Sequence, residues 1–133
     1  MSEMDRTVAY YEESANEDFG VANRLFDSKD YGYSLFFCHL ALEKLTKAIL
    51  VKRTNKPAPH SHDLSALAKQ ASVILTPDQV AELNTLTTFN IAGRYDDEKR
   101  EFRKNATKDY SEKYLKITEH LILWLKENYL KKS

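Results

Sequence analysis

Three short stretches of this sequence hold side chains of types, and at spacings, that could do chemistry. In the first, His39, Glu43 and Lys47 recur every four residues, which on a helix stacks an imidazole, a carboxylate and an ammonium along one ridge. Two readings are open. The ridge is either a solvent-facing edge, where Glu-to-Lys pairing contributes about 0.3 kcal/mol, or a cleft-facing row whose charges need each other or a ligand, because an unpaired buried charge is costly. In the second, His60 and His62 flank Ser61 and Asp63 follows. Zinc takes three or four such ligands, and only the isolated His39 and His120 could complete the set, so no metal site is expected. His62 and Asp63 equally suit the first turn of a helix, where an acid complements the dipole and a histidine can pair with a carboxylate. The third, Gly93-Arg94-Tyr95-Asp96-Asp97, sets a cation, a ring and two acids at a helix exit. It can bind a polar ligand, or Arg94 can simply satisfy terminal carbonyls or bridge to Asp96.

The elements that must carry these residues read as helices. With three glycines, three prolines and no β-branched alternation, the chain is punctuated like a few long helices with short joints. A first helix is expected from Glu3 to Asp27, capped by Ser2, with Val8, Tyr11, Ala15, Phe19, Ala22 and Phe26 facing a core. A second, Tyr31 to Arg53 with Asp30 as cap, is apolar over most of its circumference and must be central. Its stripe Tyr31, Leu35, Cys38, Leu42, Leu45 and Ile49 suits one neighbour. Phe37, Leu40, Ala41, Ala48 and Val51 lie outside that stripe and predict a second partner, in part another subunit. Pro57 and Pro59 then force a loop. A short third helix is expected over His62 to Val73 with Ser61 as cap. The fourth begins at Pro77, where Thr76 and Gln79 make a capping box, and is expected to stop near Gly93.

After Gly93, DDEKREFRKN holds eight charged residues in ten and reads as a solvated connection. Lys99, Arg100, Arg103 and Lys104 could touch phosphates, but Asp97, Glu98 and Glu101 lie among them. A last helix, Thr107 to Leu130, puts Tyr110, Tyr114, Ile117, Leu121 and Trp124 on one stripe. The fold class is therefore all-α, an up-and-down four-helix bundle with an additional short helix, in a single domain over residues 1–133.

Composition narrows the function classes. Twenty basic residues balance twenty acidic ones, so no net field holds a phosphate backbone and any nucleic-acid contact must be local. No window approaches the roughly 20 apolar residues that span a bilayer, and the early acids do not resemble a secretory leader. A cytoplasmic protein without a membrane role is the expectation. The lone Cys38 lies in the apolar run SLFFCHLAL, so it reads as a small core residue.

Glu43-Lys44-Leu45-Thr46-Lys47-Ala48, then Ser61-His62-Asp63-Leu64, then Gly93-Arg94-Tyr95-Asp96 resemble, in order and spacing, the HEPN domain family (higher eukaryotes and prokaryotes nucleotide-binding domain). The family patterns are similar to Glu-Lys-x-x-Lys-Ala, a Thr-His-Asp-Leu helix start and Ser-Arg-Tyr-Pro-Asp. The resemblance covers nearly the whole chain. It implies a helical bundle, usually a homodimer, found beside or fused to minimal nucleotidyltransferases and linked to nucleotide or RNA handling, in some cases of toxin–antitoxin type. One group of the family resembles metal-independent ribonucleases with an arginine and, four to six residues on, a histidine. There the histidine moves a proton and the arginine stabilises phosphoryl charge.

Here the positions beyond Arg94 hold Lys99, Arg100 and Glu101, and Asp96 stands where the family pattern has proline. The spacing from Arg53 to His60 fits formally but spans the proline loop, outside the family's usual location. The expectation is thus a non-catalytic or accessory dimer without a cofactor, binding a nucleotide or a nucleotidyltransferase partner through Glu43, Lys47, His62, Asp63, Arg94, Tyr95 and Asp96. Lys47 and Arg94 would meet phosphate, Tyr95 would stack on a base, and Glu43 and Asp96 would hold the cations. Two alternatives stand: an endoribonuclease with His60 or His62 as base, and a structural dimer without a ligand.

Overall fold

The structure, a computed structural model, describes residues 1–131, among which there are six α-helices and no strand. The first helix, α1 (Glu3–Asp27), starts on a complete capping box between Ser2 and Asp5. Two of its stripe residues, Ala15 and Ala22, are buried, while Val8, Tyr11 and Phe19 pack on the core partly covered. A three-residue joint turns the chain into α2 (Tyr31–Thr54), and so short a link makes the two helices antiparallel neighbours. They pack along each other more extensively than any other pair.

Asp30 occupies the N-cap position of α2 but its side chain makes no capping hydrogen bond, contrary to expectation. With ψ at 67° the backbone departs from the extended geometry that aims a cap side chain at the first free N–H groups. Ser34 secures this end instead, its hydroxyl donating to the Ala22 carbonyl at 2.7 Å. The helix ends on Asn55 in the left-handed region, φ 56°, a conformation asparagine tolerates.

α2 is the axis of the molecule. Leu35, Cys38, Leu42, Leu45 and Ile49 are wholly buried, as the stripe required. Of the second apolar surface, Ala41, Ala48 and Val51 are also buried within the one chain. Only Phe37 and Leu40 stay half open, so the surplus apolar area is smaller than the pattern suggested.

The connecting region departs most from expectation. α3 (Leu64–Gln70) is shorter than His62 to Val73, and its cap is Asp63, which accepts from the Ala66 N–H at 3.2 Å, not Ser61. Ser61 instead accepts from the Asp63 N–H at 3.2 Å, in the turn before the cap. α4 (Pro77–Thr87) begins on the Thr76/Gln79 capping box as read, but it stops six residues short of Gly93. The chain leaves the helix there and turns Phe89 and Ile91 into the core, 1 % and 2 % exposed. Gly93 has no positive φ, so glycine's left-handed freedom is not used there.

The charged run forms a helix rather than a solvated connection: α5 (Asp96–Asn105). Three of its four acids fall in the first turn and Arg103 and Lys104 in the last, an arrangement that suits the helix dipole. One side is also anchored. Phe102 packs on Phe89 with ring centroids 5.8 Å apart, and Arg103 lies against Gly32 of α2, where a Cβ would meet its Cγ at 2.8 Å.

The last helix, α6 (Lys108–Leu125), is capped by Thr107 and lies on α2. It does not stay α-helical to Leu130, because a π-helical turn covers Lys126–Leu130. That turn sets Tyr129 against Trp124 at 5.7 Å and buries Leu130. No helix among the described residues is long and apolar enough to cross a membrane.

Candidate functional site

The polar ridge of α2 faces inward. His39 is wholly buried, Glu43 is 7 % and Lys47 9 % exposed, so the solvent-edge reading gives way to the buried one. Position explains this: α2 is covered on most sides, and the turn before α3 closes over the ridge. Burial of charge then requires pairing, and the pairing is complete for the ions. Lys47 Nζ donates to Glu43 Oε2 at 3.0 Å. His62, arriving from the turn before α3, presents Nδ1 to Glu43 Oε1 at 2.7 Å. A carboxylate can only accept, so Nδ1 of His62 carries the hydrogen. With 62 % of the His62 side chain exposed, this ring is the solvent-facing member of the cluster.

His39 closes the arrangement from below. Its Nε2 lies 3.0 Å from the His62 carbonyl, to which it donates, and 3.6 Å from Glu43 Oε1. Its Nδ1 is buried without a partner. Protonating Nδ1 would create a buried donor with nothing to bind. Burial, the largest effect, accordingly holds the His39 pKa below its ordinary value. Burial also pushes the Cys38 thiol up to about 12, consistent with a core residue.

The loop that brings His62 onto α2 is itself fixed. Asp63 caps α3, and the next backbone N–H, Leu64, donates to Thr87 Oγ1 at the end of α4, at 3.1 Å. Asp63 therefore has a structural task, and the ends of α3 and α4 are tied together.

The Arg94 corner is built separately. The Arg94 guanidinium donates to the Thr88 carbonyl and lies 5.9 Å from the Phe102 ring centroid, holding the loop between α4 and α5 closed. Tyr95 is 79 % exposed, and Asp96 opens α5 beside two further acids. Among the described residues, no hydrogen bond or ion pair joins Arg94, Tyr95 or Asp96 to Glu43, Lys47 or His62. The expected residues thus form two groups. His60 is exposed beside the first and makes no such contact. Arg53 lies 5.2 Å from the Tyr129 ring, and among the described residues no hydrogen bond joins it to His60. Among the described residues, no group of three or more His, Cys, Asp and Glu is placed to hold a metal ion.

Sequence reasoning placed His39 on the ridge but gave it no role in the site, where it supports the His62 carbonyl. Its spacing of four residues before Glu43 was the available signal. Thr87 carried no signal, since its partner is a backbone N–H from 23 residues away.

The family model of the HEPN domain matches residues 8–129. No curated protein and no solved structure matches the chain.

Proposed function

Because this chain belongs to the HEPN domain family, we propose that it is an accessory, non-catalytic member, a homodimer that binds a nucleotide or a minimal nucleotidyltransferase partner in a toxin–antitoxin type of system. One observation carries the non-catalytic reading. Arg94, the cation that a family ribonuclease would turn toward phosphoryl charge, is bound to the Thr88 carbonyl and lies near the Phe102 ring, and no histidine follows it at the required spacing. The cation has a structural task, and the proton-transfer group beside it is missing.

Binding falls to the exposed members of the two groups, His62 and Tyr95. An exposed tyrosine offers a stacking face, and His62 offers a fixed ring edge. Lys47, already paired with Glu43, tunes that edge rather than meeting a phosphate. Dimerisation is supported by a half-covered face of α2: Tyr33, Phe36, Phe37 and Leu40 recur at three- and four-residue steps and none is buried. Such a stripe is the shape a second helix covers.

The test combines light scattering with calorimetry against ATP and against a minimal nucleotidyltransferase. The reading expects a mass of two chains, reduced to one by Leu40→Glu, and binding of at least one ligand weakened by Tyr95→Ala and His62→Ala. A monomer that binds neither overturns it.

A second reading has its own observation. Glu43 orients His62 as a carboxylate orients the histidine of a catalytic pair, leaving Nε2 toward solvent. That is the geometry of a general base, and it favours an endoribonuclease acting through His62 over one acting through His60. Cleavage of RNA lost in His62→Ala would select it.

A further inference from the structure

A cavity of about 680 Å³ opens at the end of α3 and the start of α4, and none of its lining residues belongs to either group described above. Its volume falls within the range of small-molecule sites. The apolar lining comes from Val73, Leu75 and Val80, with Ile74 at the rim, 82 % exposed.

The rim is held in place rather than loose. Ile74 donates its backbone N–H to Tyr129 Oη at 3.0 Å. Val73 N–H donates to the Ala68 carbonyl at 2.9 Å and Ser72 N–H to the Lys69 carbonyl at 3.0 Å, with Ser72 in the left-handed region at φ 59°. This double closure fixes the chain as it leaves α3.

The charges in the lining are all of one sign. Arg53, from the last turn of α2, and Lys69, from the last turn of α3, both line the cavity, and no acid does. Asp78, in the nearby first turn of α4, is not among the lining residues. Among the described residues, neither cation is in an ion pair. Arg53 is positioned by the Tyr129 ring, 5.2 Å from its guanidinium carbon, whereas the Ser65 hydroxyl is already donated to Asn84 Oδ1 at 2.6 Å. In a chain of zero formal charge, two unneutralised cations over an apolar floor are complementary to one kind of occupant. An apolar body removes the floor from water, and an anionic head meets a planar guanidinium and an ammonium.

We propose that this cavity binds a small organic carboxylate with an aromatic or branched apolar body, its carboxylate between Arg53 and Lys69 and its body against Val73, Leu75 and Val80. The site is independent of the His62 and Tyr95 surfaces, so it stands or falls separately from the function proposed above.

The experiment is a titration of the ¹⁵N-labelled protein with 4-phenylbutyrate, followed by amide chemical shifts. The amides of Ser72, Val73 and Ile74 should move together and saturate with a Kd on the order of 1–5 mM. The neutral analogue 4-phenyl-1-butanol, and each of Arg53→Gln and Lys69→Gln with phenylbutyrate, should bind roughly tenfold more weakly. Inorganic phosphate, which lacks the apolar body, should give shifts that do not saturate over the same range. Both cations are exposed, so the spectra of the variants should match the parent outside the cavity and show that they fold. No saturable shift at these amides overturns the proposal. So does equal binding of the alcohol, or binding unchanged in both variants.

Discussion

His39 is the residue whose environment makes the sharpest claim. Its pKa is held below the ordinary 6.5, chiefly by burial, so as pH falls the unfolded chain takes up this proton before the folded one does. Its stability contribution is therefore whole above about pH 6.5 and falls away as pH drops through that value toward the folded pKa. Denaturant unfolding should show stability decreasing between about pH 7.5 and 5. His39→Gln, which keeps a donor for the His62 carbonyl but has no titrating proton, should flatten that decrease. An unchanged slope would place the pH dependence on another group.

Glu43 supports a second residue-scale prediction. Its side chain is 9 % and that of Lys47 11 % exposed, so Glu43→Gln leaves an ammonium with little water and no counter-charge, at a cost of about 3 kcal/mol. Adding Lys47→Met should cost less than the sum of the two single changes, because the stranded charge leaves with it. Additive losses would mean that the pair is not coupled. The ridge itself was legible from spacing alone, since steps of four stack side chains on one face. Its burial was not, because that depends on a turn 19 residues after Glu43 folding back over it.

Among the elements, α5 most needed the structure to be seen. Its composition is that of a solvated run, and what makes it a helix is the order of its charges and two contacts distant in sequence, Phe102 on Phe89 and Arg103 on Gly32. Gly32→Ala would put a Cβ 2.8 Å from Arg103 Cγ and 3.1 Å from its Cα. The second atom is backbone and cannot swing aside, so α5 must shift, at about 1–3 kcal/mol. Hydrogen exchange should then rise across 96–105 more than across α1. Unchanged protection of α5 would show that the close approach contributes nothing.

The Ser2 cap and the Thr76 capping box were legible because they are local, each closing within three residues. The early end of α4 was not, because it follows from burying Phe89 against Phe102, Tyr110 and Tyr114. Three of those rings belong to elements still to come in the chain.

At the scale of the whole molecule, the bundle is organised around α2, which supplies the core stripe, the paired ridge and the half-open face. The family match over residues 8–129 accords with that arrangement, and the all-α class followed from periodicity without it. What periodicity could not supply was the separation of the expected site into two groups. Glu43, Lys47 and His62 share hydrogen bonds, whereas Arg94 is turned to its own loop. The proposed accessory role rests on that separation, because a ribonuclease needs its cation and its base at one phosphate.

The most direct measurement is the rate at which the purified protein cleaves a fluorescently labelled, unstructured RNA, compared with His62→Ala and Arg94→Ala made in the same way. The account predicts that all three are indistinguishable from buffer. Cleavage by the parent protein that disappears in both variants would contradict it, and would mean that His62 and Arg94 meet at one phosphate after all.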